Sequence, residues 1–242
     1  MSQYVLPNPL LPGKTDDDAR RIATMFRSRP REYEESRRNA GVLLERAYLQ
    51  KTPMGSYVVA YLESERSFAD SSRLMLESGL AIDRDFAALV QEIHGIDMSS
   101  PPGRIETVAT WSDPQVTLRG AGLAFCAPLQ PDRVEDGIAY LRQTYASPGF
   151  TESRRALGQS VEVATLIETP LGPIGAAYLE GRDSVEANRR FAASRDPFDV
   201  AFKEHLAWIF QPSVDFSQPL PPIEEIFDST KVASLGAARR VA

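Results

Sequence analysis

The chain of 242 residues carries one cysteine and two histidines, so it can form neither an internal disulfide nor a Cys/His zinc cluster of its own. Basic residues are the minority, 27 Lys and Arg against 33 Asp and Glu, which leaves a formal net charge of -6. That balance opposes the electropositive surface on which phosphate-backbone binding rests, so nucleic acid is not an expected partner. No apolar run approaches the roughly 18 to 20 residues of a membrane span. The opening MSQYVLPNPLLPGK lacks the charged and apolar regions of a secretory signal. A cytoplasmic protein with no membrane partner is expected. What is present suits a globular fold: 43% hydrophobic and 25% charged residues, enough for one large domain or two small ones.

The chain repeats itself. Residues 34–63, EESRRNAGVLLERAYLQKTPMGSYVVAYLE, align without a gap on residues 151–180, TESRRALGQSVEVATLIETPLGPIGAAYLE, with 15 of the 30 positions identical. The match extends outward, PLLPGKTDDDARR answering PLQPDRVEDGIAY and IDMSSPPGRIETV answering VDFSQPLPPIEEI. Two copies of one unit are expected at residues 1–113 and 114–230, followed by a flexible tail at 231–242 of small residues and two arginines.

Within each copy, a proline-punctuated apolar run (YVLPNPLL, LAFCAPL) reads as a first strand. Thr15 before three aspartates reads as a helix N-cap. Pro30 and Pro148 interrupt the helix, a second helical turn carries ESRR, and Gly41 and Gly158 stand where a left-handed C-cap belongs. Alternation from Val42 to Gln50 predicts a strand, and Thr-Pro-x-Gly predicts the tight turn to its antiparallel neighbour. Ser67 and Ser184 are expected to cap one further helix, which ends at Gly95 or before Pro212, with short strands at 105–111 and 223–227. The order strand, helix, strand, strand, helix, strand is the ferredoxin-like βαββαβ unit. The expected fold class is therefore α+β, with two tandem units covering each other's bare sheet face as an intramolecular, pseudo-dimeric α+β barrel.

This pattern resembles the dimeric α+β barrel superfamily, which includes antibiotic-biosynthesis-monooxygenase-like and stress-responsive barrel proteins. The segments LLPGKT, YEESRR, QKTPMG, VAYLE, DPFDVAFKE and EIHGID are similar to those of small, single-unit bacterial proteins without assigned chemistry. The resemblance implies a cavity between sheet and helices. In some members it implies cofactor-free oxygenation or cyclisation of aromatic polyketide-like substrates, and in fused-repeat members similar to chlorite dismutases it implies haem binding. No catalytic motif of those groups can be placed on this chain residue by residue.

Several residues are candidates for a site. Arg46, Tyr48 and Gln50 put three large polar groups on one side of a strand otherwise suited to burial, where the second copy has Val163, Thr165 and Ile167. One ligand pocket in a pseudo-symmetric barrel needs such an asymmetric lining. Arg37 and Arg154 recur in ESRR and suit bidentate contact with an anionic oxygen, though a surface ion pair of Arg38 with Glu35 explains the motif as well. Tyr61 and Tyr178 recur two residues before Glu63 and Glu180, on the same strand face, as proton-transfer pairs or packed sheet-edge phenols. His94, opposite Phe210 in the second copy, is the natural general base or a helix-terminal cation beside Gly95. His94 and Tyr48 are thus the catalytic candidates, and Arg46, Gln50, Tyr61, Tyr178, Arg37 and Arg154 the substrate-binding ones. Cys126 reads as a buried strand residue. The expected function is binding, and conversion without metal or cofactor, of a small apolar or aromatic metabolite, by a monomeric pseudo-dimer or a homodimer. The alternatives are a haem protein with His205 or His94 as ligand, and a non-catalytic binding or structural module.

Overall fold

A computed structural model describes residues 1–100, 103–117, 119–170 and 172–232. The first copy runs β1 (Ser2–Pro9), α1 (Asp16–Ser28), α2 (Pro30–Ala40), β2 (Val42–Thr52), β3 (Gly55–Ser64), α3 (Phe68–Glu77), α4 (Ala81–His94) and β4 (Ile105–Ser112). The second runs β5 (Ala121–Pro128), α5 (Val134–Tyr145), α6 (Pro148–Leu157), β6 (Gln159–Thr169), β7 (Gly172–Gly181), α7 (Ser184–Ala193), α8 (Pro197–Ile209) and β8 (Ile223–Asp228).

Local chemistry sets these boundaries. Thr15 and Asp18 form a reciprocal capping box at the start of α1: the hydroxyl accepts from the Asp18 amide, and the carboxylate accepts from the Thr15 amide. Gly41 and Gly158 end α2 and α6 at φ of 74° and 80°, a conformation glycine adopts without a Cβ clash. The single helix expected after Ser67 and Ser184 is in each copy two helices. Gly79 at φ 70° breaks the first, and Asp196 with Pro197 restarts the second. Ser67 caps α3 as expected, but Asp183 caps α7, and Ser184 instead gives its hydroxyl to the Ala121 carbonyl.

The fold is mixed α+β, with two four-stranded antiparallel sheets and, among the described residues, eight α-helices. The sheet orders are β1-β3-β2-β8 and β4-β6-β7-β5. The last strand of each repeat therefore pairs with the second strand of the other repeat: β4 lies antiparallel to β6, with Ile105 opposite Ile167 and Ser112 opposite Val161. The compact units accordingly differ from the expected 1–113 and 114–230. One holds α1–α4, β2, β3 and nearly all of β8, with the ends of β1; the other holds β4–β7 and α5–α8, with Val5–Pro7. The physical reason is backbone pairing, since an edge strand satisfies its N–H and C=O groups on whichever sheet it joins, and sequence similarity does not mark the choice. The first two residues of the expected tail, 231–242, have a defined place. Lys231 closes a 3-10 turn and Val232 is buried against the first unit's aromatic core, while residues 233–242 lie outside the described residues.

Candidate functional site

The ESRR motif builds a buried network in each unit. In the first, Arg37 donates from Nε to the Glu45 carboxylate at 2.8 Å, Tyr33 donates its hydroxyl to the same carboxylate at 2.9 Å, and Ser36 bonds Asp83 at 2.5 Å. In the second, Arg154 donates to Glu162 at 2.6 Å, Tyr145 donates to Glu162 at 2.7 Å, and Ser153 bonds Asp199 at 2.5 Å. Both guanidiniums also lie over aromatic rings, Arg37 over Phe26, Tyr33 and Phe86, and Arg154 over Phe150, Phe191 and Phe202. The surface ion pair expected of the motif also forms, but between Arg38 and Glu34. Arg37 and Arg154 are instead buried, each paired with the carboxylate of the following strand, Glu45 or Glu162.

In the second unit this network forms one end of a cavity of about 110 Å³ between the sheet and its helices. Arg154, Glu162, Tyr145 and Gln159 belong to its wall together with the polar residues Thr165, Asn188, Asp215 and Gln218, while Leu166, Phe202 and Phe210 supply part of the apolar remainder. Burial, and then the negative charge of Glu162, hold the Tyr145 phenol well above its ordinary range, so it stays protonated as the donor to that carboxylate. Gly175 belongs to the same wall, and a Cβ there would meet the Phe210 ring at 2.9 Å and Leu129 at 3.1 Å. Glycine thus lets the Phe210 ring lie against the strand. The first copy has Val58 and His94 at these two places.

Strand register explains where the predicted residues stand. In β2 and β3, Arg46 faces Tyr61 and Tyr48 faces Val59, whereas Glu45 faces Leu62 and Leu49 faces Val58. Directly opposed residues share a sheet face. Arg46, Tyr48, Gln50 and Tyr61 therefore share the face turned away from Glu45, and so away from the helices that Glu45 contacts through Arg37 and Tyr33. Arg46 pairs with Asp228 of β8 at 3.3 Å, and Tyr48 and Gln50 are buried. Tyr61 accepts from Gln3 Nε2 at 2.8 Å and donates to Glu63 at 2.7 Å, and Tyr178 donates to Glu180 at 2.5 Å. His94 closes α4 and its Nδ1–H donates to the Pro9 carbonyl at 2.9 Å; burial lowers its pKa against the opposing pull of that carbonyl. His205 stacks on the Tyr140 ring at a 3.5 Å centroid separation, and Cys126 is buried, its thiol pushed up to about 12.

Of the eight predicted site residues, Arg154 alone belongs to this cavity wall. Sequence reasoning missed Tyr145, Glu162 and Gln159, of which Gln159 had a mark of its own. Its signal was a glutamine at the start of a strand where the aligned first copy has Val42. Among the described residues, no three His, Cys, Asp or Glu side chains gather as a metal site, and no helix is long and apolar enough to cross a membrane.

No known protein family and no curated protein matches the chain. Two solved structures share its fold. An anthrone oxidase-like protein aligns over 92% of this chain and 88% of its own length, with a TM-score of 0.50 and 11% identity. A proposed monooxygenase from Fusobacterium nucleatum subsp. nucleatum aligns over 93% of this chain and 92% of its own, with a TM-score of 0.52 and 9% identity. At such identities the likeness speaks for the fold, an α+β architecture shared with proteins bearing those names.

Proposed function

We propose that the protein binds a small apolar or aromatic metabolite in the cavity of the second unit. The observation that carries this reading is the composition of the cavity, whose largely apolar wall includes Gln159 and the network in which Arg154 and Tyr145 meet at Glu162. Arg154 is matched by Glu162 and lies 3.8 Å from Asp199, so the polar end offers no surplus positive charge and favours an uncharged ligand. The fold shared with an anthrone oxidase-like protein and a proposed monooxygenase supports an aromatic ligand, although a cavity of about 110 Å³ is too small for a tricyclic one. Conversion would then be metal-free oxidation of an electron-rich ring by dissolved dioxygen, one oxygen atom entering as a quinone carbonyl and the other leaving as water with the two hydrogens the substrate gives up, read as substrate-dependent oxygen uptake. Tyr145 holds the wall in this reading, because its proton is committed to Glu162. No histidine belongs to the cavity wall, so haem in this cavity would lack an imidazole ligand.

Native mass spectrometry of freshly purified protein against its denatured mass tests the proposal. A retained or added aromatic compound is expected to bind the wild type and to be lost in Ala164→Leu, which adds bulk to the wall. Binding that is equal in the two proteins would overturn it.

A further inference from the structure

Gln159 is 5% exposed and belongs to the cavity wall, and its Oε1 is buried without a hydrogen-bond partner. A buried amide oxygen left unpaired is costly, and a native protein carries few of them. The Arg154 guanidinium and the Tyr145 hydroxyl, donors of the same wall, do not relieve it, because they direct their bonds to Glu162 and Ser153. Gln159 is also held in place. It opens β6 just before the register shift at Val161, opposite Gly181, where a Cβ would meet the Gly158 carbonyl oxygen at 2.4 Å and the Gln159 Cα at 2.9 Å. A bulge of this kind re-aims a side chain. The bulge recurs in the first copy, between Val42 and Leu44, with an apolar residue in the place of the glutamine.

We infer that Gln159 is the specificity-determining residue of the cavity, accepting a hydrogen bond from an uncharged single-ring ligand that bears a donor, a monocyclic phenol. The inference rests on the cavity being the ligand site and adds the ligand's size and polarity. A volume of about 110 Å³ is of the order that holds one benzene ring, so a fused-ring compound does not fit. The Arg154, Glu162 and Asp199 group supplies more formal negative than positive charge, which disfavours a carboxylate ligand such as benzoate.

Ligand-observed NMR titration of the full chain with phenol, fluorobenzene, benzoate and 1-naphthol tests it. Phenol is expected to bind about tenfold more tightly than its near-isostere fluorobenzene, the worth of one buried neutral hydrogen bond, with benzoate and 1-naphthol weaker than either. In Gln159→Met the phenol advantage disappears while fluorobenzene affinity holds within about twofold. The comparison of phenol with fluorobenzene in the wild type needs no variant, so it stands even where Gln159→Met fails to fold. Equal binding of phenol and fluorobenzene, both lost in Ala164→Leu, overturns the role of Gln159 and leaves the cavity as the ligand site. Naphthol binding as tight as phenol overturns the size limit. Binding of none of the four, or binding that Ala164→Leu leaves unchanged, removes the cavity reading and the inference with it.

Discussion

Glu45 and Glu162 occupy the same place in the two copies, and each receives one arginine and one phenol, but the phenol comes from different helices. In the first copy it is Tyr33 of α2, tilted against Phe26 of α1; in the second it is Tyr145 of α5, stacked on Phe150 of α6. The ring pair is retained and the hydroxyl has moved from one ring to the other. What the fold requires is therefore a donor at that carboxylate and an aromatic pair over the arginine, with the position of the oxygen left open. The copies diverge further where the demand is packing alone. Val58 with His94 in one copy is matched by Gly175 with Phe210 in the other, and Val42 by Gln159. The first set satisfies its own polar groups, His94 through Pro9, whereas the second leaves a cavity with an unpartnered amide oxygen in its wall.

The comparison breaks most severely at the arginines. Arg37→Ala or Arg154→Ala leaves a buried carboxylate without its partner, and each is expected to cost about 3–5 kcal/mol in urea unfolding. Ligand binding should respond to the Arg154 change with folded protein in excess, and an equal response to Arg37→Ala would erase the distinction between the copies. Next comes Gly175→Val, which imports the first copy's residue into the second. Its clash with Phe210 should cost about 1–3 kcal/mol, and adding Phe210→Leu should recover part of that, measured as non-additivity in the double variant.

A sharper test moves the hydroxyl. Tyr145→Phe should lose about 1–3 kcal/mol by leaving a Glu162 oxygen short of a donor, and Phe150→Tyr added to it should restore the first copy's arrangement and raise the melting temperature again. The smallest effect concerns the surface. Arg21, and then Lys14, draw Glu92 from 4.5 down to about 2, so its ion pairs contribute above 4.5 and are lost as pH falls toward 2. Glu92→Gln should flatten the acid limb of the stability profile slightly, and added salt should mimic it. The second copy has Trp208 at that place, under the Arg133 guanidinium at 4.3 Å, and Trp208→Gln should not change the acid limb.

Much of this was legible in the residues. The capping box at Thr15, the left-handed glycines 41 and 158 and the strand alternation from Val42 to Gln50 are local devices, and local devices leave periodic or positional marks in a sequence. Arg154 was legible as a repeated arginine, but the carboxylate it meets was not, because Glu162 lies across a turn and a bulge from it. The polar side of β2 is visible in the sequence, and Arg46, Tyr48 and Gln50 are buried there; alternation tells which residues share a side and not what covers that side.

The sequence by itself determined the repeat, the order of strands in each copy and the capped ends at Thr15, Gly41, Ser67 and Gly158, since the caps depend on neighbours within a few residues along the chain. Tertiary structure alone decided that β4 and β8 would exchange sheets, that ESRR would point an arginine inward at Glu45 and Glu162, and that the cavity would open on the helix side of the second sheet beside Gln159. Those outcomes depend on pairing and volume between segments far apart in the chain, and two copies identical at half of a 30-residue aligned stretch can fill the same space differently by changing a few side chains.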